Sequence, residues 1–263
     1  MIMMDIKNVV SLYFSPTSST HGILEEMAKF LPWPVQELDI TDYSANDGEY
    51  SLACDELLLA GVPVYGGRVP AVAAQRIRNI RGSGGPAIVV TVFGNRAYDD
   101  ALIEMKDLLE EQGFVVISAL AAVAEHNIMR SVGRGRPDAE DLNFIRNFTE
   151  ASVKKLRGIK ELSTEPSLEV KGTKPYRPYN TVPLKPQADS SCTSCGDCAE
   201  KCPVHAIPED KPMLTEKDDC ITCMRCVKEC PTQSRSLNSL ALAAAEKLFA
   251  FKNRKRKEPE GFL

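Results

Sequence analysis

The chain has no run approaching the roughly 20 consecutive apolar residues needed to cross a bilayer, so no transmembrane helix is expected. It also has no excess of basic charge. With 32 Lys and Arg against 36 Asp and Glu the net charge is −4, which gives no global pull toward nucleic acid. No G-x-G-x-x-G follows a strand pattern, and no nicotinamide site is expected. The first residues carry no basic segment followed by an apolar one, so the expectation is a cytoplasmic, reducing compartment with no disulfide framework. What is present is ordinary: 263 residues, 43% hydrophobic and 26% charged, enough for one medium domain and one small one.

Cysteine is the exception. Eight of the nine cysteines fall in two runs of the form C-x2-C-x2-C-x3-C-P: Cys192, Cys195, Cys198, Cys202 before Pro203, and Cys220, Cys223, Cys226, Cys230 before Pro231. This is the bacterial ferredoxin spacing for [4Fe-4S] clusters, whereas zinc ligands usually come as separated pairs. Three close thiolates fold around one cubane and the fourth, beyond a short helical turn, points away from it. The fourth Cys of each run then ligates the other cluster. Cys192, Cys195, Cys198 and Cys230 hold one cluster, and Cys220, Cys223, Cys226 and Cys202 the other. The runs keep one interval throughout, as an internal duplication would leave them. Ile207 and Ile221 stand where apolar side chains would shield the clusters. The ninth, Cys54, reads as a small buried hydrophobe.

Ahead of the runs the pattern alternates. Strands are expected over 9–14, 35–40, 56–62, 87–93 and 114–123, and helices from about 23, over 71–80, 99–112 and 142–156, with Gly113 closing the third. Alternation of this kind predicts a five-stranded, doubly wound parallel sheet covered on both faces. Ligands of such sheets sit at the carboxyl ends of the strands. The loops after the strands are therefore informative. The first is Ser15-Pro-Thr17-Ser18-Ser19-Thr20, which opens a helix and reads either as a phosphate cradle or as a capped turn. The third strand leads into Pro63-Val64-Tyr65-Gly66-Gly67-Arg68, the fourth, ending at Phe93, into Gly94-Asn95-Arg96-Ala97-Tyr98, and the fifth into Glu125-His126. Gly lets a backbone approach a planar ligand and Tyr can stack on it, though tight loops with packed tyrosines read equally well.

The hydroxyl-rich loop, the Tyr65-Gly66-Gly67 loop and the Gly94-Asn95-Arg96-Ala97-Tyr98 loop, each after its own strand and in this order, resemble the three flavin loops of the flavodoxin family. With the cysteine runs, residues 5 to 235 are similar to fused flavodoxin–ferredoxin electron-transfer proteins of anaerobes. The resemblance implies FMN, with its phosphate on Ser15, Thr17, Ser18, Ser19 and Thr20. Its ring would lie near Tyr65, Gly66, Gly67, Gly94, Asn95, Arg96 and Tyr98, Tyr98 being the preferred stacking residue. Pro63, Val64 and Phe93, on the same loops, are counted with the site, and His126, after the fifth strand, reads either as a flavin hydrogen-bond partner or proton carrier or as a polar loop residue facing solvent. Ser18 stands where flavodoxins usually have Gly, at a curl that demands unusual backbone dihedrals.

The expected organisation is a flavin-binding region over 1–160, a Pro-rich linker over 161–187, a two-cluster region over 188–235, and an amphipathic helix with a basic tail over 236–263. The helix stripe comprises Leu237, Leu240, Ala241, Ala244, Leu248 and Phe251. The basic tail permits contact with a membrane surface, but docking on the protein body is preferred; a homodimer is also allowed. The expected function is electron transfer between two [4Fe-4S] clusters and FMN, with redox proteins as partners. The alternatives are a flavin-dependent reductase of a small substrate and a two-cluster ferredoxin with a flavin-free docking domain.

Overall fold

The structure, a computed structural model, describes residues 5–179, 182–237 and 239–263; the side chains at 47, 239–241 and 244 lie outside that description. In chain order the strands are β1 (Asn8–Tyr13), β2 (Val35–Asp39), β3 (Tyr50–Leu52), β4 (Glu56–Pro63), β5 (Ile80–Gly82), β6 (Pro86–Phe93), β7 (Val115–Val123), β8 (Gln187–Ala188), β9 (Arg235–Ser236) and β10 (Glu260–Phe262). The helices are α1 (Ser19–Ala28), α2 (Ala71–Ile77), α3 (Ala101–Glu111), α4 (Ala139–Gly158), α5 (Asp197–Glu200), α6 (Arg225–Lys228) and α7 (Ser239–Lys252).

The main sheet runs β10-β7-β6-β4-β1-β2, with every pair parallel except β10 on β7. Its five parallel strands, counted in chain order, lie 2-1-3-4-5, the flavodoxin-like doubly wound order. The order reverses between β1 and β4. The apolar runs form these strands because both faces are covered: all eight residues of β6 are buried. One face packs Leu58, Val89 and Phe114 against Leu102, Met105 and Leu109 of α3; the other packs Leu57, Leu59 and Val90 against Ile23, Leu24 and Met27 of α1 and Ile145 of α4. Each fully buried Leu or Ile contributes about 2 kcal/mol of burial free energy.

Four expectations need correction. The sheet has six strands, because the tail turns back and Phe262 pairs with Ala119 on the β7 edge. Helix α2 stops at Ile77, and Ile80 begins a small parallel pair with β3. Cys54 is exposed, in the turn before β4. Of the C-terminal stripe, Leu237 is buried while Leu248 and Phe251 are exposed; the side chains of Leu240, Ala241 and Ala244 lie outside the described residues. Among the described residues no helix is long and apolar enough to cross a membrane.

Residues 167–177 of the Pro-rich segment run along α3. Thr173 N–H and Arg177 N–H donate to Asp100, at 2.9 and 2.7 Å, and Lys174 pairs with Asp107 at 2.6 Å. Further on, Lys185 Nζ donates to Cys220 O and Thr222 Oγ1. This segment carries the cysteine-rich region to the loop end of the sheet. Arg76, fully buried, fixes it there by donating to Ile40 O, Thr41 O and Pro203 O, and Tyr43 stacks on His205 at 3.5 Å.

Candidate redox centres and flavin cleft

The eight cysteines gather into two cavities. Cys192, Cys195, Cys198 and Cys230 line one, with about 280 Å³ of atom-free space; Cys202, Cys220, Cys223 and Cys226 line the other, with about 340 Å³. Each cavity thus takes three thiols from one run and the fourth from the other. The duplication is visible in the backbone. Ser194, Gly196 and His205 have φ of 56°, 89° and 50°, and their counterparts Thr222, Met224 and Gln233 have 55°, 68° and 55°. These left-handed residues curl each loop around its cavity.

The sulfurs are not drawn in to the spacing of a single zinc. A single tetrahedral zinc with bonds near 2.3 Å would bring sulfurs to about 3.8 Å of one another. Among the described residues the one set of three or more His, Cys, Asp or Glu whose ligand atoms all fall within 4.8 Å is His21, Glu25 and Glu37, with no cysteine in it. Backbone N–H groups of Ser194, Ala206 and Thr222 point at the sulfurs of Cys192, Cys202 and Cys220, at 3.4, 3.3 and 3.4 Å. Such contacts offset negative charge on a cluster. Burial pushes the Cys226 thiol up to about 11, with Arg235 opposing it. Cys230 differs: burial raises it, but the hydroxyls of Ser234 and Thr232 outweigh that and hold it at about 6.

A cleft opens at the carboxyl ends of β4 and β6, beside the β1/β4 reversal. It encloses about 790 Å³ of atom-free space, part of it open solvent. Of the residues expected around a flavin, Thr17, Ser19, Pro63, Val64, Tyr65, Gly66, Phe93, Gly94 and His126 line it. Ser18 takes the left-handed backbone, φ 62° and ψ 2°, that Gly would take at that curl. Thr20 Oγ1 is buried in the same turn without a partner. Ser15 Oγ, from the loop before α1, accepts from His21 N–H at 3.0 Å. The hydroxyl-rich loop, the remaining first-turn N–H groups at Ser19 and Thr20, and the unpaired hydroxyl fit a phosphate.

His126 Nδ1 accepts from the N–H groups of Ile128 and Met129, at 3.2 and 3.1 Å, which leaves the ring proton on Nε2. Burial, with the Arg96 charge nearby, lowers its pKa to about 4. The Phe249 ring of α7 meets it edge-on at 5.0 Å. Gly94 is glycine for this neighbour: a Cβ there would lie 2.7 Å from the His126 Cα.

Tyr98, expected to stack on the ring, is placed elsewhere. It is buried against Phe93, and its hydroxyl donates to Glu260 Oε2 at 2.8 Å. Asn95 serves the tail, donating to Asn253 O and Lys255 O and accepting from Lys257 N–H. Arg96 pairs with Asp99, and a Cβ on Gly67 would strike the Asp99 side chain. The loop after β6 therefore faces the tail as much as the cleft. The aromatic that sequence reasoning missed is Tyr179, which lines the cleft with Val182 from the Pro-rich segment. Its placement after Pro178 in an otherwise polar stretch was the available signal. Ile221 and Thr222, between two cluster ligands, line the cleft as well as the second cysteine cavity.

Residues 191–235 match the family model of the 4Fe-4S dicluster domain. No curated protein matches the chain. Solved structures similar to it include a flavodoxin from the domain Archaea, 12% identical, covering 57% of this chain and 98% of that one with a TM-score of 0.40. Fusobacterium nucleatum flavodoxin bound to flavin mononucleotide is 15% identical, covering 57% and 98%, with a TM-score of 0.39. An NADH:FMN oxidoreductase in its apo form is 14% identical, covering 61% and 92%, with a TM-score of 0.40. The flavodoxin-like assignment of the sheet follows from its strand order. The chain joins that sheet to a dicluster domain whose eight cysteines provide for two [4Fe-4S] clusters.

Proposed function

We propose that the chain is an electron-transfer protein in which FMN, bound in the cleft at the β1/β4 reversal, exchanges electrons with the two clusters. One observation carries this reading: Ile221 and Thr222 form a wall shared by the cleft and the cavity of Cys202, Cys220, Cys223 and Cys226. Tunnelling falls steeply with distance, and a shared wall keeps the two redox sites close. When bound, FMN takes one or two electrons and each cluster one, so the combination joins one-electron and two-electron partners.

The chain's own residues divide the work. Thr17, Ser19 and the first-turn N–H groups of α1 hold the phosphate, while Tyr65, Gly66 and Tyr179 bound the ring. His126 stays neutral at physiological pH and keeps its proton on Nε2. The apolar Ile221 keeps water out of the electron path. Cys195, in the other cavity, is exposed, so the outer cluster is the point at which redox-protein partners exchange electrons.

Purification under anaerobic conditions followed by iron, sulfide and flavin analysis tests the reading. The expected result is about eight iron, eight sulfide and one FMN per chain. Two clusters with no FMN retained or rebound would overturn it.

A further inference from the structure

Lys228 belongs to the second cysteine run, yet its ammonium group lies at the hydroxyl-rich loop of the sheet. Nζ donates to Ser18 Oγ at 2.7 Å and to Thr17 O at 3.1 Å. Both acceptors are neutral, and among the described residues no carboxylate lies within ion-pair distance of this lysine, although the neighbouring Glu229 pairs with Lys201. Its position is held. Arg225, at the other end of α6, pairs with Asp42 at 2.6 Å, and Arg76 anchors Pro203. A cation held at the N-terminus of α1 by Thr17 O and Ser18 Oγ, in a turn whose Thr20 hydroxyl is buried without a partner, describes an anion site with its charge supplied from outside the loop.

The place of Lys228 in the chain adds a second consequence. It lies between Cys226 and Cys230, which belong to different cavities. The short turn that carries it is shaped by both.

On the reading that the cleft takes FMN, we propose that Lys228 is a ligand of its phosphate, so that the cysteine-rich region completes the flavin site and flavin affinity depends on both clusters being in place. The linkage is reciprocal: bound flavin also holds the cysteine-rich region against the sheet.

The test compares FMN with riboflavin, which lacks the phosphate. Cluster-loaded, full-length protein is titrated with each flavin anaerobically and followed by flavin fluorescence. Wild type is expected to prefer FMN. Lys228→Gln is expected to weaken FMN binding about tenfold at low salt while leaving riboflavin binding unchanged, and Lys228→Arg to keep most of the affinity. Unchanged FMN affinity in Lys228→Gln, or an equal loss for both flavins, overturns the inference. Should Lys228→Gln not load its clusters, wild type decides. A preference for FMN that does not shrink between about 50 and about 500 mM KCl overturns the inference. Wild type that binds neither flavin overturns the FMN reading itself, an outcome separable from the others.

Discussion

The guanidinium of Arg235 donates to the Cys198 sulfur across 3.6 Å from a fully buried position. Four other acceptors surround it: the carbonyls of Pro212, Leu214 and Pro186 and the hydroxyl of Thr215. Its charge also bears on Cys202 and Cys226 of the second cavity. One buried cation is thus shared by both cluster sites. Reduction adds negative charge to a cluster, and a nearby positive charge favours it.

Arg235→Lys, which keeps the charge and loses most of the fork, should load both clusters with potentials near wild type. Arg235→Met should lower both midpoint potentials and destabilise the fold by about 3 kcal/mol, because the surrounding carbonyls lose their donor. EPR-monitored redox titration reads the first effect and anaerobic urea unfolding the second. Potentials unchanged in the Met variant would refute the electrostatic role.

At Ser18 the sequence posed a backbone problem, and the structure shows how it is met. The curl needed a Gly-like backbone, and Ser18 adopts it, at a strain of order 1 kcal/mol for a residue with a Cβ. Relieving that strain with Ser18→Gly also restores entropy to the unfolded chain, so the net change should be within about 0.5 kcal/mol. Ser18→Val, β-branched and far less tolerant of positive φ, should cost about 2 kcal/mol. Urea midpoints of the three proteins order them, and a Val variant as stable as wild type would contradict the argument.

His126 carries a pH dependence whose sign is fixed by its depressed pKa. Unfolded, the ring binds a proton near pH 6.5; folded, only near about 4. Between these values the unfolded chain holds more protons, so stability falls as pH drops through 6.5 toward 4 and is fully present above 6.5. From pH 7.5 to pH 5.5 the loss attributable to this ring is about 1 kcal/mol. His126→Asn should remove that share of the slope. Anaerobic urea unfolding at the two pH values measures it, and an identical slope in the variant would sink the assignment.

Much of the sheet was legible because fully buried parallel strands are written as unbroken apolar runs, and residues 87–93 leave no other reading. The exchange of the fourth cysteines was legible for a different reason: a C-x3-C step crosses a helical turn and turns the last thiol away. The misplaced residues share a cause. Asn95 and Tyr98 make their bonds to the tail, more than 150 residues away in sequence, and such pairings leave no local period. The three-residue strand β10 is shorter than any pattern can mark.

The tail offers the plainest check on that correction. Tyr98 holds Glu260, Asn95 holds the backbone at 253, 255 and 257, and Arg256 reaches back to Asp138 at the start of α4. Together they lay β10 on β7, whose edge would otherwise present unpaired N–H and C=O groups to another chain. Tyr98→Phe loses one buried hydrogen bond and should cost about 1 kcal/mol in urea unfolding, with FMN affinity unchanged, since the ring does not line the cleft. Removing residues 259–263 should do more, exposing the β7 edge and producing concentration-dependent association in size-exclusion chromatography. A Tyr98→Phe protein that keeps its stability and loses flavin instead would return Tyr98 to the flavin site.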